Sequence, residues 1–337
     1  MFLENTSKSI NELEKFFKKI KDNLSDDDPE TGDLFVFLGA GFSSMYKLPN
    51  WSKLVDKIIY SLIYHNEITK RDNYTEIQLY LYKLLNKDTN LKLKISFVEE
   101  LFSIEEIPMK ILYDILCEEI KINKPKEILK GVSVGEQELL KKLGNINAKF
   151  ITTNFDNILQ LTLGIKNQIV NFSEYINSRR EGVIHIHGAL SKANSDDFLE
   201  KITFNFESYV KKYNTTEIMK NNLFRTIIEI DDSKTNNTIL FLGSSLQESE
   251  IIGHIAADSK FFSKKIALMG YTSKYDYKIE SQYYKKKFGV EIIGYNSSKG
   301  HSIFGDFVKL MSAYLTVDVP TDTLDFIDEI NKEIGGE

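Results

Sequence analysis

The chain has 337 residues, 42% hydrophobic and 27% charged, with a net charge of −6. That length supports one large domain or two modest ones and is not the composition of a disordered chain. The acidic balance counts against a general electrostatic affinity for nucleic acid, and the single Cys117 excludes both an intrachain disulfide and a four-cysteine zinc site.

No run reaches about 18 consecutive apolar residues, and the opening MFLENTSKSINELEKFF lacks a signal-peptide core, so a cytoplasmic chain with no membrane attachment is expected. Ile10, Leu13, Phe16, Phe17, Ile20 and Leu24 recur at three- and four-residue steps, which predicts an amphipathic helix within residues 1–30. Leu34-Phe35-Val36-Phe37-Leu38 has the length and residue types of a fully buried strand and stops at Gly39. From about 51 to 145 the period is mostly helical, with stripes at Leu54, Ile58, Ile59 and Leu62 and at Ile111, Ile115 and Leu116, predicting a helical insertion between the first two strands.

Beyond Asn147 short apolar runs alternate with helical stretches. Strands are expected at Phe150 to Thr152, Val183 to Ile186, Thr238 to Leu242, Ile266 to Met269 and Val290 to Ile293. Helices are expected at Leu246 to Ala257, Ser273 to Phe288 and His301 to Leu315. The alternation predicts an α/β fold, a Rossmann-type doubly wound parallel sheet whose main domain spans 31–316, with ligands at the carboxyl ends of its strands. Residues 317–337 carry Leu324, Ile327, Ile330 and Ile334 at helical spacing, a helical tail that either docks on a partner or packs on its own domain.

Four elements carry the chemistry, each at the end of an expected strand. Gly39-Ala40-Gly41-Phe42-Ser43-Ser44 precedes a helix expected to begin near Asn50 or Trp51; its glycines suit a phosphate or an ordinary tight turn. Thr152-Thr153-Asn154-Phe155-Asp156 offers an amide and a carboxylate suited to ribose hydroxyls, or to capping the helix expected near Asn157. In His185-Ile186-His187-Gly188 the two histidines share a strand face, and His187, next to the glycine, is better placed to act as a base. Gly243-Ser244-Ser245 could admit a phosphate or cap the next helix.

Taken together and in this order, GAGFS at 39–43, TTNFD at 152–156, HG at 187–188 and GSS at 243–245 resemble the sirtuin-like (Sir2-type) NAD-binding family. The resemblance implies NAD⁺ lying across the strand ends, with Asn154 holding the nicotinamide ribose or an attacking water and His187 as base. It also implies that Thr153 and Asp156 line the ribose side and that Gly39, Ala40, Gly41, Ser43, Gly243 and Ser244 surround the phosphates; topology alone, from its place after the strand ending at Met269, puts Tyr271 beside the adenosine ribose. Protein-deacylating sirtuins carry a zinc module with two cysteine pairs, which one cysteine cannot build, and where they continue with a proline and a phenylalanine-arginine pair this chain has Leu48-Pro49-Asn50-Trp51.

The zinc-free form looks like the bacterial antiphage-defence NADases, which implies NAD⁺ as substrate, no metal, and control by a homo-oligomer or a partner. A HerA-type hexameric ATPase, a short argonaute-type protein or a nucleotide-processing subunit would suit. The competing readings are a nucleotide sensor that does not cleave, an oligomer-forming structural subunit and a deacylase.

Overall fold

The computed structural model describes residues 1–3, 7–23, 32–122, 124–130, 132, 142–163, 167–177, 182–213, 237–246, 251–253, 262–298 and 302–315. The strands are β1 (Phe2–Leu3), β2 (Leu34–Leu38), β3 (Lys149–Thr152), β4 (Gln168–Ile169), β5 (Val183–His185), β6 (Asn237–Leu242), β7 (Phe262–Tyr271) and β8 (Val290–Asn296). The helices up to β3 are α1 (Ser7–Asn23), α2 (Ala40–Met45), α3 (Trp51–Ile63), α4 (Asn66–Thr69), α5 (Tyr74–Asn86), α6 (Leu91–Ile104), α7 (Lys110–Glu119) and α8 (Pro125–Lys130). After β3 come α9 (Ile158–Leu163), α10 (Phe172–Asn177), α11 (Phe198–Lys201), α12 (Phe206–Tyr213), α13 (Lys274–Phe288) and α14 (Ser302–Leu315).

The strands form one parallel sheet in the order β1-β8-β7-β6-β2-β3-β5-β4, with helices on both faces. Strands buried on both sides show no polar alternation, and β2 illustrates why. Its Leu34, Val36 and Leu38 enter one core with Leu13, Phe17 and Ile20 of α1 and Phe307, Val308 and Met311 of α14. Phe35 and Phe37 enter the opposite core with Tyr175 of α10 and Tyr213 of α12, against which Tyr277 and Phe288 of α13 also lie. A third apolar cluster joins α3, α5, α6 and α7 to Phe155, Leu190, Phe198, Ile202 and Phe204. It seats the helices that lie between β2 and β3 on the loops that follow β3 and β5.

The chain runs from β2 to β3, goes out to the edge strand β4 and comes back to place β5 between them, then crosses to put β6 on the other side of β2 and proceeds through β7 and β8. The switch in direction lies between β2 and β6, where open α/β sheets form a crevice. The register then brings the site together: Leu38 pairs with Thr152 and with Leu242, and Thr152 pairs with His185. The loops beginning at Gly39, Thr153, Ile186 and Gly243 therefore leave the sheet at one level.

Several details differ from the sequence expectation. The residues after β2 form a helix, α2, one residue past the strand, and α3 begins separately at Trp51 with Asn50 as its N-cap. β7 is longer than the run Ile266 to Met269 suggests, and β1 and β4 have two residues each. The tail 317–337 lies outside the described residues, as does most of the helix expected at Leu246 to Ala257, of which 251–253 are helical. No helix among the described residues is long and apolar enough to cross a membrane.

Candidate active site

A cavity of about 690 Å³ opens at the carboxyl ends of the strands. One wall is the sheet crevice, with Gly39, Ala40, Gly41, Ser43, Thr153, Asn154, Asp156, His187, Gly243 and Ser244. The other comes from the helices between β2 and β3 and includes Trp51, Leu54, Asn90, Lys92 and Ile120. Of the residues assigned to catalysis or nucleotide binding from the sequence, all but Tyr271 therefore line this cavity. The reason is topological: β7 is separated from β2 by β6 and runs three residues past Leu268, the partner of Leu242, and the Tyr271 ring packs on Tyr277 with centroids 5.5 Å apart.

The glycines have a use that the sequence reading missed. The Gly39 amide donates to the Leu242 carbonyl at 3.0 Å and the Gly41 amide to the Gly243 carbonyl at 2.8 Å, so these two donors join loop to loop. A Cβ on Gly39 would meet the Gly243 oxygen at 2.6 Å, and one on Gly243, whose φ is +63°, would meet the Phe42 nitrogen at 2.5 Å. Glycine is required there because two backbones cross at the switch point.

Asn154 is fixed by this crossing. Its Nδ2 donates to the Gly39 carbonyl at 3.0 Å and to Ser43 Oγ at 2.8 Å, while its backbone amide donates to Thr152 Oγ1 at 3.0 Å. A carbonyl can only accept, so the Gly39 contact sets the amide orientation and leaves Oδ1 as the acceptor facing the cavity. The Ser43 hydroxyl in turn donates to Asp156 Oδ2 at 2.8 Å, and Asp156 Oδ1 accepts from the Ile158 amide at 3.1 Å. Asp156 thus both accepts from the first amide of α9 and ends the Asn154–Ser43 chain. Burial pushes its carboxyl above the usual range, against the pull of the Ser43 and backbone donors.

The two histidines occupy different environments, because β5 ends at His185 and His187 lies in the turn beyond it. His185 Nδ1 donates to the Asn154 carbonyl at 2.9 Å and Nε2 accepts from Gln160 at 2.7 Å. Fully buried and satisfied, it is held neutral, its pKa lowered by burial to about 4. It braces the Asn154 turn without facing the cavity.

His187 does line the cavity. It is 2% exposed, with Nε2 2.8 Å from the Tyr213 hydroxyl and Nδ1 3.3 Å from that of Tyr209. Burial, with the charges of Lys212 and Lys92, lowers its pKa well below that of a free imidazole, so it is neutral at physiological pH. Gly188 follows because a Cβ there would meet the Lys201 oxygen at 2.1 Å, while Thr203 donates to the His187 carbonyl at 2.7 Å.

Sequence reasoning missed the residues that complete the site from other elements. Tyr209 and Tyr213 stand one helical turn apart on α12. Lys92 of α6 lies 3.1 Å from the Tyr209 ring centroid, and Trp51 stacks edgewise with Phe155 and Phe204. Only the i,i+4 spacing of the two tyrosines could have drawn notice. Among the described residues no group of three or more His, Cys, Asp or Glu is placed to hold a metal ion.

Residues 148–293 match the family model of the SIR2-like domain. The match runs from the start of β3 into β8 and so contains Asn154, His187 and Gly243, although it covers less than half of the chain. A comparison with curated proteins returned no match. The SIR2-like match supports a Sir2-like family and an NAD-related activity. The Gly39–Ser43 loop lies outside the SIR2-like span, yet it meets that span at Gly243 and Asn154 through the bonds described above.

Proposed function

We propose that this chain hydrolyses NAD⁺ at the nicotinamide–ribose bond, giving nicotinamide and ADP-ribose. The observation that carries the reading is the convergence of an amide locked by a backbone carbonyl, Asn154, and a neutral imidazole, His187, on one cavity at the sheet's switch point. Nicotinamide departs readily because the electrons of the C1′–N bond neutralise its pyridinium nitrogen, so no strong acid is required at the leaving group. Asn154 Oδ1 accepts from the ribose hydroxyl or the attacking water. His187 takes the water proton as the new O–C1′ bond forms and later releases it to solvent. Such base assistance contributes about a hundred- to ten-thousandfold, and fixing the reactants in place contributes more.

The wall of Trp51, Leu54 and Ile120 would cover the ribose and exclude bulk water. Unrestrained NAD⁺ loss would harm the host cell. We therefore extend the proposal, on the resemblance of the motifs alone, to an effector of antiphage defence controlled by homo-oligomerisation or a partner protein. A second reading, a pocket that binds the nucleotide without cleaving it, draws support from the two tyrosines that engage both His187 nitrogens.

One assay separates these. Nicotinamide and ADP-ribose are followed with the purified chain at low and high protein concentration, alongside Asn154→Ala and His187→Ala. Hydrolysis that falls by about a hundredfold or more in both variants is the expected result. NAD⁺ binding with no turnover at any concentration would favour the sensor.

A further inference from the structure

The tyrosines of α12 meet the two nitrogens of His187 unequally. Tyr213 reaches Nε2 at 2.8 Å inside the protein, an ordinary distance for a well-made bond, whereas Tyr209 stands 3.3 Å from Nδ1. Tyr209 lines the cavity and Tyr213 does not, so Nδ1 is the nitrogen on the cavity side. A neutral imidazole carries one proton, so a cavity-side Nδ1 that acts as base requires that proton on Nε2, where the enclosed Tyr213 hydroxyl, able to accept as well as donate, is placed to take it.

We propose that Tyr213 is the positioning residue that fixes His187 as the Nε2–H tautomer, leaving Nδ1 to accept the proton, and that Tyr209 is a placeholder which water or a ribose hydroxyl displaces. The assignment rests on His187 serving as the base of the hydrolysis proposed above. In the reaction the water proton passes to Nδ1 while Nε2–H stays on the ring, and the Tyr213 oxygen accepts from the imidazolium that results. The proton then leaves Nδ1 for solvent with the product.

Lys92 supplies a route by which the ligand could act on the placeholder. Its ammonium sits over the Tyr209 ring and also lines the cavity. An anionic pyrophosphate that draws Lys92 from the ring loosens Tyr209 and leaves the Tyr213 bond as it was.

The test has a spectroscopic arm and a kinetic arm, both on the full chain. Nitrogen-15 histidine labelling without substrate, with the His187 signals assigned by their loss in His187→Gln, should show Nε2 protonated and Nδ1 unprotonated. The reverse tautomer would overturn the proposal whether or not the chain cleaves NAD⁺. Tyr213→Phe should mix the tautomers and lower kcat about tenfold or more, with KM within about twofold. Tyr209→Phe should keep the Nε2–H signature, because the hydroxyl it removes lies on the other nitrogen. Loss of turnover in Tyr209→Phe with Tyr213→Phe unaffected would also overturn it. A correct tautomer with no hydrolysis by the wild-type chain would leave the tautomer assignment standing and instead refute the hydrolase reading.

Discussion

Ser43 stands between two side chains that need it for different reasons. Asn154 requires an acceptor for its second amide hydrogen, and the buried Asp156 requires a donor. In Ser43→Ala both lose a partner at once, and the largely buried carboxylate keeps only its backbone donors. Leaving buried polar groups unpaired costs about 1–3 kcal/mol, more for a charged one. We expect a loss of stability of about that size in urea unfolding. Turnover should fall about tenfold, because the Asn154 side-chain amide then donates to the Gly39 carbonyl alone. An unfolding midpoint and a rate both equal to those of the wild type would show that the chain Asn154–Ser43–Asp156 is incidental.

At the scale of elements, α3 carries the helical wall of the cavity and Asn50 begins it. The Asn50 side chain accepts from the Lys53 amide at 3.0 Å, satisfying one of the unpaired donors of the first turn, and Trp51 and Leu54 follow directly into the cavity wall. Asn50→Ala should cost about 1 kcal/mol of stability and weaken NAD⁺ binding measured by calorimetry, while Asn50→Asp, which can still cap, should restore the stability. Weaker binding with unchanged stability in Asn50→Ala would mean that the side chain serves the ligand and not the helix.

This start was legible, since Asn before Trp51 and an apolar stripe is a helix signal. β2 was legible too, five apolar residues in a row being hard to place anywhere but in a doubly covered strand. α2 was not, because GAGFSSM has the composition of a glycine turn and only the opposing β6 loop makes Gly39 and Gly41 a matter of close approach. The two-residue strands β1 and β4 are too short to show any period. In the site, the four strand-end motifs could be read because a parallel sheet in register aligns them. Lys92, Tyr209 and Tyr213 come from elements whose meeting with His187 depends on how α6 and α12 fold over the sheet.

For the whole molecule, the buried titratable groups make stability depend on pH in two opposing ways. His185 is held near a pKa of about 4 against an ordinary value of 6.5, and His187 is lowered in the same direction. Unfolding lets both take up protons, so their contribution is complete above pH 6.5 and is lost as the pH falls, for His185 down to about 4. Each would tilt the unfolding free energy by up to about 1.4 kcal/mol per pH unit.

Glu99 of α6 works in the other sense. Burial raises it to about 7 from 4.5, against the pull of the Asn205 amide that donates to it at 2.6 Å. The folded chain therefore holds a proton that the unfolded chain releases between 4.5 and 7, and that contribution is present in acid and lost as the pH rises through 7. Asp156, also raised, acts in the same sense as Glu99. The wild-type profile alone thus hides both effects, and they separate by difference. Between pH 6 and 5, wild type should lose about 1 kcal/mol more than His185→Asn, which cannot titrate but can still donate to the Asn154 carbonyl. Over the same interval wild type should gain a comparable amount relative to Glu99→Gln. Urea midpoints at pH 5, 6 and 7 and fixed ionic strength measure both, and parallel curves for wild type and His185→Asn would mean that His185 is protonated in the fold and that its hydrogen bonds are not those of a neutral ring.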